Sequence, residues 1–523
     1  MLLDRWRLGV ARQTAELRSF PRPSLGDLVG GVTVALVLIP QSLAYAGLAG
    51  LPPFIGLFAS AFPLLAFALF ASSPYLQTGP VALTSLLTLG ALQGGGFVTE
   101  TDEYIAAAAL LAVIVGVVRL IIGALRFGSI VYLMAEPVMI GFTSAAGIVI
   151  LSSQLPRALG VALPADIADI DNPLGRAGWA LGHPGEWELA ALVISVLTIG
   201  LMLQGRRIHR LFPGVLIAVI VVLVWSRATG YDGDVVGAID AGVPTWSLDL
   251  PWSSLGSLFV GGAIIALVGF AEPASIARTF ANEDQSEWSS SREFLASGVA
   301  NIVAGATGAF PVGGSFSRSS VNRFAGAKTR WSGAITGLVV LAFLPFSGLL
   351  EALPQALLGA VVVAAVFSLI KPKRMVNLWT RSPWQAGLAW LTFIATLITP
   401  PNVQYAVLFG VLLTVVFHFF RPFHLEVDGV DDGLFIRPRG LLWVASNSKL
   451  KNELRTTIRE DAGSGPITFS LDRSTAIDSG IADAVAGGQV AADQQGREFS
   501  VVNPPEGATA LLENFGVSVV RRS

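Results

Sequence analysis

The stretch from Pro311 to Asn322 reads PVGGSFSRSSVN, and it interrupts a chain otherwise dominated by apolar runs. A Pro and two Gly break the backbone, Ser residues follow, and Arg318 stands among them. In the first half of the chain, Thr78-Gly79-Pro80 makes a similar break. The apolar stretch after each break falls short of the roughly 20 residues that a spanning helix needs. Paired interrupted segments in the two halves of a membrane protein point to a transporter's midplane site. Half-helices there would present free N–H groups and positive dipole ends, which suit an anion. This reading places candidate ligands at Val81 and Ala82 in the first segment, and at Ser315, Phe316 and Ser317 in the second. The competing reading is two ordinary tilted helices with loop glycines.

Composition supports a membrane setting. The 523 residues are 53% hydrophobic and 13% charged, and mean hydropathy is +0.65. A soluble chain carries about 25% charged residues. The 56 Gly and 29 Pro are tolerated in transmembrane helices, where neighbours satisfy freed backbone groups. A net charge of −2 gives no basic field for nucleic acid. The absence of cysteine excludes disulfides, thiolate metal sites and a Cys nucleophile. No metal site is expected.

About fourteen apolar segments can be counted: 28–47, 54–71, 79–93, 105–124, 131–155, 187–204, 211–230, 258–281, 292–308, 312–324, 332–350, 354–370, 384–400 and 403–420. The two broken segments are third in each set of seven. Met1 to Pro23 is too polar and Arg-rich for a cleavable signal, so residues 1–27 are expected to be a cytoplasmic lead-in. With the N-terminus inside, the even-numbered connections are cytoplasmic. They carry Arg126, then Arg206, Arg207 and Arg210, then Arg323, Lys328 and Arg330, then Lys371, Lys373 and Arg374. The opposite loops are acidic or neutral, as from Asp166 to Asp171 and from Asp232 to Asp249. This is the positive-inside asymmetry. It predicts a transmembrane domain over 28–421 with both termini cytoplasmic.

From about Phe423 the apolar runs shrink to strand length. Strands are predicted at Leu434–Pro438, Ile467–Leu471 and Phe499–Asn503, and helices at Ser479–Gln494 and Pro505–Phe515. That alternation predicts a small α/β domain over 422–523.

Within the spans, a few polar residues stand out. Gln41 and Ser42 follow Pro40 in the first span. An amide and a hydroxyl beside a Pro break can donate to an oxyanion, or can bond a neighbouring helix. Tyr45, one turn on, offers a phenol donor or a packing ring. A cation among apolar helices is costly and usually functional, and the Arg fork matches oxyanions bidentately. Arg318 is therefore a candidate anion ligand, with snorkelling to the cytoplasmic face as the alternative. Glu272 is the only acid between Ile264 and Ala281, and such a carboxylate can carry a proton in transport or simply pair with Arg318.

Several stretches resemble the SulP (sulfate permease) anion transporters. They are Ile39-Pro40-Gln41-Ser42-Leu43-Ala44-Tyr45-Ala46, then Gly50-Leu51-Pro52-Pro53 and Gly56-Leu57, then Gly79-Pro80-Val81-Ala82, Gly141-Phe142-Thr143, Asn301-Ile302, and Gly314 to Asn322. The C-terminal region is similar to a STAS domain. The resemblance implies two inverted seven-helix repeats arranged as core and gate domains, usually in a dimer. It implies that Arg318, after Ser317, helps bind the anion. Members resembling plant sulfate–proton symporters carry a Glu at the position of Glu272, whereas some bacterial members use an acid in that span for sodium. In soluble STAS-like domains a Ser after the Asp of a pattern like Asp478-Ser479 is phosphorylated, although a bare Asp-Ser is also a good helix cap.

These readings predict an α-helical polytopic protein of the bacterial-type plasma (inner) membrane, surrounded by lipid and moving a small oxyanion by elevator-like alternating access. Proton-coupled sulfate symport leads. Bicarbonate or dicarboxylate transport with sodium or protons, an anion exchanger or channel, and a nucleobase carrier are the competitors. A purine site needs no buried Arg, and nucleobase carriers lack the STAS domain. The homodimer is expected from the resemblance. No Walker motif is present, so ATP does not drive transport directly. No cofactor is expected beyond the ion gradient. The four His fall in no motif with a carboxylate and a nucleophile, so no enzyme is expected.

Overall fold

A computed structural model describes residues 22–127, 136–168, 170, 172–208, 212–239, 242–381, 383–420, 424–430, 433–439, 447–461, 463–472, 477, 479–505 and 508–520. Met1 to Pro21 of the expected lead-in, Arg210, Asp171 and Asp478 lie outside these residues, as does the Ser479 side chain.

The apolar runs fold as helices because only intra-segment hydrogen bonding satisfies a backbone in lipid. The first set comprises α1 (Leu25–Leu48), α2 and α3 (Pro53–Ala59 and Phe62–Phe70), β1 (Thr78–Gly79) with α4 (Ala82–Gly94), α5 (Asp102–Ala124), α6 (Glu136–Leu159), α7 (Leu189–Ile208) and α8 (Gly214–Thr229). The second comprises α9 (Leu255–Glu283), α10 (Ser290–Ala306), β2 (Gly313–Gly314) with α11 (Phe316–Phe324), α12 (Trp331–Phe343), α13 (Gln355–Val366), α14 (Pro383–Ile398) and α15 (Val403–Phe420). Each of the fourteen expected segments contains a helix. The second one is split, since the chain turns at Ser60 and Ala61 before Pro63 starts a new helix. Among the described residues, six helical stretches are individually long and apolar enough to cross a membrane, and the other apolar helices are shorter.

β1 and β2 pair antiparallel, with Thr78 opposite Gly314 and Gly79 opposite Gly313. Antiparallel pairing of the two third segments is what an inverted repeat requires. The helices then sort into two groups. In one, α10 packs on α5 and α3, α12 on α1 and α3, and α9 on α5. In the other, α14 and α13 pack on α6, and α7 packs on α13. These are the core and gate groups of the fold. The α5–α10 crossing shows how lipid-embedded helices attract one another. A Cβ on Gly116 would lie 2.8 Å from the Gly298 carbonyl oxygen, and one on Gly298 would lie 2.9 Å from that of Gly116. Small residues let the backbones touch, replacing a hydrophobic drive that lipid does not supply.

The chain divides into compact units at Val411/Leu412, inside α15 and about ten residues before the boundary read from composition. The second unit holds a sheet in the order β3 (His424–Val430), β4 (Gly433–Arg439), β5 (Ile467–Ser470), β6 (Phe499–Val502), β7 (Val519–Val520). The β3–β4 pair is antiparallel and the remaining pairs are parallel. Helices α16 (Asn447–Glu460), α17 (Ser479–Asp493) and α18 (Ala508–Asn514) complete it. Leu450, Leu454 and Ile458 of α16 are fully buried with Ile467, Phe469 and Val501 of the sheet. β5 and β6, the inner parallel strands, are largely buried, as strands covered by helices are.

Candidate functional site

Gly79 supports the crossing of the two broken segments. Its φ of +140° lies in a region L side chains rarely adopt, and a Cβ there would lie 3.5 Å from Arg318 Nη2. The guanidinium therefore packs on β1 while its own helix starts just after β2. Val81 stands at the N-cap of α4 and makes no side-chain cap hydrogen bond, so its side chain satisfies none of the first-turn N–H groups that a helix start leaves over. At α11, Ser315 Oγ accepts from the Arg318 N–H at 3.5 Å. The two N-termini meet as the sequence suggested, but their occupancy differs.

Arg318 is 1% exposed, and its Nε, Nη1 and Nη2 all lack a hydrogen-bond partner among the described residues. Gln41 is 2% exposed, and its Oε1 is also unpartnered. A cavity of about 40 Å³ joins Gln41, Ser317 and Arg318, with Val37, Met202 and Phe212 also in its lining. By this measure one water needs about 10–15 Å³, so the space takes more than a single water. Buried polar groups in proteins are nearly always satisfied, so three idle guanidinium nitrogens beside an idle amide oxygen mark a place for a ligand.

Glu272 is half-buried in α9, just before Pro273. Its carboxylate accepts from the backbone N–H of Phe316, and Arg318 and Lys371 are the charges that face it. A carboxylate thus sits on the first N–H of the second half-helix, where an external anion would also be drawn. Arg318 in turn has Tyr45 and Glu272 within electrostatic reach. Tyr45 is buried.

The remaining sequence candidates fall differently. The Ser42 hydroxyl donates to the Ile39 carbonyl at 2.7 Å, so its proton is spent on its own helix. The Phe316 ring is 53% exposed and stacks on Phe280 with centroids 6.3 Å apart; only its N–H reaches the site, and that N–H goes to Glu272. Val81 and Ala82 are buried at the α4 start and offer backbone alone. Arg323 pairs with Glu283 and Asp284 and lies over the Phe280 ring at 4.9 Å, well away from the idle state of Arg318.

Sequence reasoning missed three supporting residues. Arg119 is fully buried and donates to Ala266 O, Ile265 O, Val312 O and Ser297 Oγ. Asn301, quoted only as part of a motif, bonds both the N–H and the C=O of Val312. Gln77, also buried, donates its backbone N–H to Ser319 Oγ at 2.9 Å. The signal for Arg119 was present: it is the only charge between Tyr104 and Leu125, and charges inside spans are functional by default.

A second, larger cavity of about 710 Å³ lies at the C-terminal end of α1, with Leu43, Ala44 and Leu86 among its lining and Arg157, Glu188 and Tyr231 farther along the chain. Tyr231 donates to Glu188 at 2.9 Å. Burial, and then that carboxylate, raises the phenol above its ordinary value. The larger cavity lies at the C-terminal end of α1, and the smaller one lies at Gln41, farther back along the same helix.

Fourteen helical segments, two of them half-helices meeting at a buried unpartnered Arg, define a multi-pass membrane transporter of the inverted-repeat class. The chain belongs to the sulfate permease family, whose model matches residues 25–392. It is 33% identical over 414 residues to the chloroplastic sulfate transporter 4.1 of Arabidopsis thaliana, covering 77% of this chain and 60% of that one. The chain thus spans less than two thirds of that relative. It is also 33% identical over 423 residues to a probable sulfate transporter of Mycobacterium tuberculosis, covering 78% of this chain and 72% of that one. Among solved structures, SLC26A9 matches with a TM-score of 0.74 at 20% identity, over 94% of this chain and 86% of that one. The transmembrane domain of the cyanobacterial bicarbonate transporter BicA matches with a TM-score of 0.61 at 22% identity, over 75% of this chain and 96% of that one. The family and these relatives are transporters and not enzymes.

Proposed function

We propose that this chain carries a small oxyanion, sulfate foremost, across the membrane by elevator-like alternating access coupled to protons. One observation carries the reading: the buried Arg318 guanidinium has no hydrogen-bond partner among the described residues and opens on a cavity shared with Gln41 and Ser317. The proposed ligands are Gln41, Ser317 and Arg318, with the first-turn backbone of α4 at Val81 and Ala82 and the Ser315 turn around them. Tyr45 supports Arg318. Ser42 and the Phe316 ring would join only after a change of conformation.

Glu272 supports proton coupling. Its carboxylate holds the Phe316 N–H and faces Arg318, so it competes with the anion for the same positive groups. A proton on Glu272 removes that competitor, and proton and anion then bind together. The names of the sulfate transporter relatives support sulfate. The BicA likeness extends to fold alone, so bicarbonate stands as the second substrate to test.

Residues 1–27, 28–421 and 422–523 are proposed as cytoplasmic lead-in, transporter domain and STAS domain, in a homodimer of the plasma membrane with both termini cytoplasmic. The charge asymmetry of the loops supports that orientation. The larger cavity, at the C-terminal end of α1, then lies toward the outer side. Uptake of labelled sulfate, bicarbonate, fumarate and chloride into proteoliposomes, under imposed proton or sodium gradients, tests the reading. Sulfate accumulation driven by a pH gradient is expected. Sodium-driven bicarbonate uptake without sulfate uptake would overturn it.

A further inference from the structure

A second fully buried cation lies beside the crossing of the half-helices. Arg119 comes from α5, and every group it bonds is neutral. Its Nε donates to Ala266 O at 3.0 Å, Nη2 to Ile265 O at 3.2 Å, and Nη1 to Ser297 Oγ at 2.8 Å and Val312 O at 3.1 Å. The Phe270 ring is 6.0 Å away. Among the described residues no carboxylate pairs with it: Glu272 faces Arg318 and Lys371, and Glu293 of α10 is spent on Ser72, Ser73 and Trp288.

Its position relative to the site follows from small residues. A Cβ on Gly269 would lie 2.9 Å from Arg119 Nη2 and 3.0 Å from Thr84 in the first turn of α4. Val312, whose carbonyl Arg119 holds, directly precedes β2. Gly313 of β2 faces Gly79 of β1, on which Arg318 packs. The two guanidiniums therefore attend the same two-stranded crossing, one with idle donors and one making four hydrogen bonds.

An isolated buried cation is expensive, and carbonyl dipoles alone stabilise it without cancelling its charge. We infer that Arg119 is a specificity-determining positioning residue: its uncompensated charge favours a divalent over a monovalent oxyanion at the Arg318 site. It never touches the ligand. A dianion gains one more unit-charge interaction with it than a monoanion does. Across about one helix diameter, at an effective dielectric of about 20, this difference corresponds to roughly tenfold in selectivity. The inference rests on the anion-carrier reading proposed above.

The test separates charge from structure. Ser297→Asp places a carboxylate against Arg119 Nη1 while leaving the guanidinium and its backbone bonds in place, and Ser297→Asn is the neutral control. Sulfate and nitrate uptake would be measured on the full chain in proteoliposomes, with monodispersity on size exclusion as the fold check. Ser297→Asp should lower the sulfate-to-nitrate preference roughly tenfold, and Ser297→Asn should leave it within about twofold. Arg119→Gln should follow Ser297→Asp, and Arg119→Lys should restore the preference. An unchanged ratio in folded Ser297→Asp protein would overturn the inference alone. So would failure of Ser297→Asp to fold where Ser297→Asn folds, because an uncompensated cation accepts a carboxylate. Wild-type protein that moves neither anion would instead overturn the carrier reading beneath it.

Discussion

Asn301 grips Val312 at both ends of its backbone: its Oδ1 accepts from the Val312 N–H at 2.9 Å, and its Nδ2 donates to the Val312 carbonyl at 3.1 Å. Val312 leads into β2 and hence into the second half-helix. This amide side chain from α10 therefore anchors the segment that leads into the second half-helix, together with Arg119, which bonds the same carbonyl. Asn301→Ala should leave the buried Val312 N–H unpaired, at a cost of about 1–3 kcal/mol. The expected result is a lower melting temperature together with weaker sulfate binding. Asn301→Asp keeps the acceptor and should retain more of both. Thermal shift with and without sulfate measures this, and Asn301→Ala protein with wild-type binding would refute the role.

Arg318 should trade stability for function. Its side chain is buried and makes no hydrogen bond among the described residues, so it destabilises the empty protein. Arg318→Met should leave the melting temperature unchanged or raise it. Arg318→Ala should weaken sulfate binding by at least thirtyfold or so, the scale of removing one partner of a buried charge pair, about 2–5 kcal/mol. Arg318→Lys should also bind poorly, because an ammonium cannot form the fork. Near-normal uptake by the Ala variant would remove Arg318 from the site.

The second unit should be dispensable for binding. All proposed ligands lie before Val411, the end of the first compact unit. A chain truncated after Phe420 should still bind sulfate with an affinity within about threefold of wild type, since distant sites act nearly independently. Transport rate is free to change. A stable truncated protein that binds no sulfate would place part of the site beyond residue 420.

Much of this architecture was legible in the sequence, because lipid imposes long apolar runs and Gly/Pro breaks stand out within them. The half-helices, Arg318 and Glu272 were visible as exceptions to an apolar background. What escaped was pairwise. Nothing local tells that the Ser42 hydroxyl turns back to Ile39, or that the Phe316 N–H is taken by Glu272 from another helix. Arg119 was visible as a lone charge, but its role depends on carbonyls that only tertiary packing brings to it. In the second unit, α16 was missed although Leu450, Leu454 and Ile458 recur at helical spacing. The many charges between them hid a single buried stripe.

Glu272 is the last point of test, and the sign of its pH effect follows from what it touches. As a carboxylate it holds the Phe316 N–H and faces Arg318, so it occupies positive groups that the anion needs. Each proton it takes removes a negative charge from the site. Wild-type sulfate binding should therefore strengthen as pH falls. Glu272→Gln fixes the neutral form, and its binding should be independent of pH and at least as tight as that of wild type at low pH. Net transport is a different matter. A dianion entering a cell with a negative interior works against about 2.3 kcal/mol per charge per 100 mV, and co-transported protons offset that cost. Glu272→Gln has no proton to release on the inner side, so it should fail to accumulate sulfate under a pH gradient. Exchange of internal for external sulfate needs no net proton movement and should persist. The check is one protein preparation assayed three ways: binding against pH, gradient-driven accumulation, and exchange. Accumulation by Glu272→Gln equal to that of wild type would show that another group carries the proton.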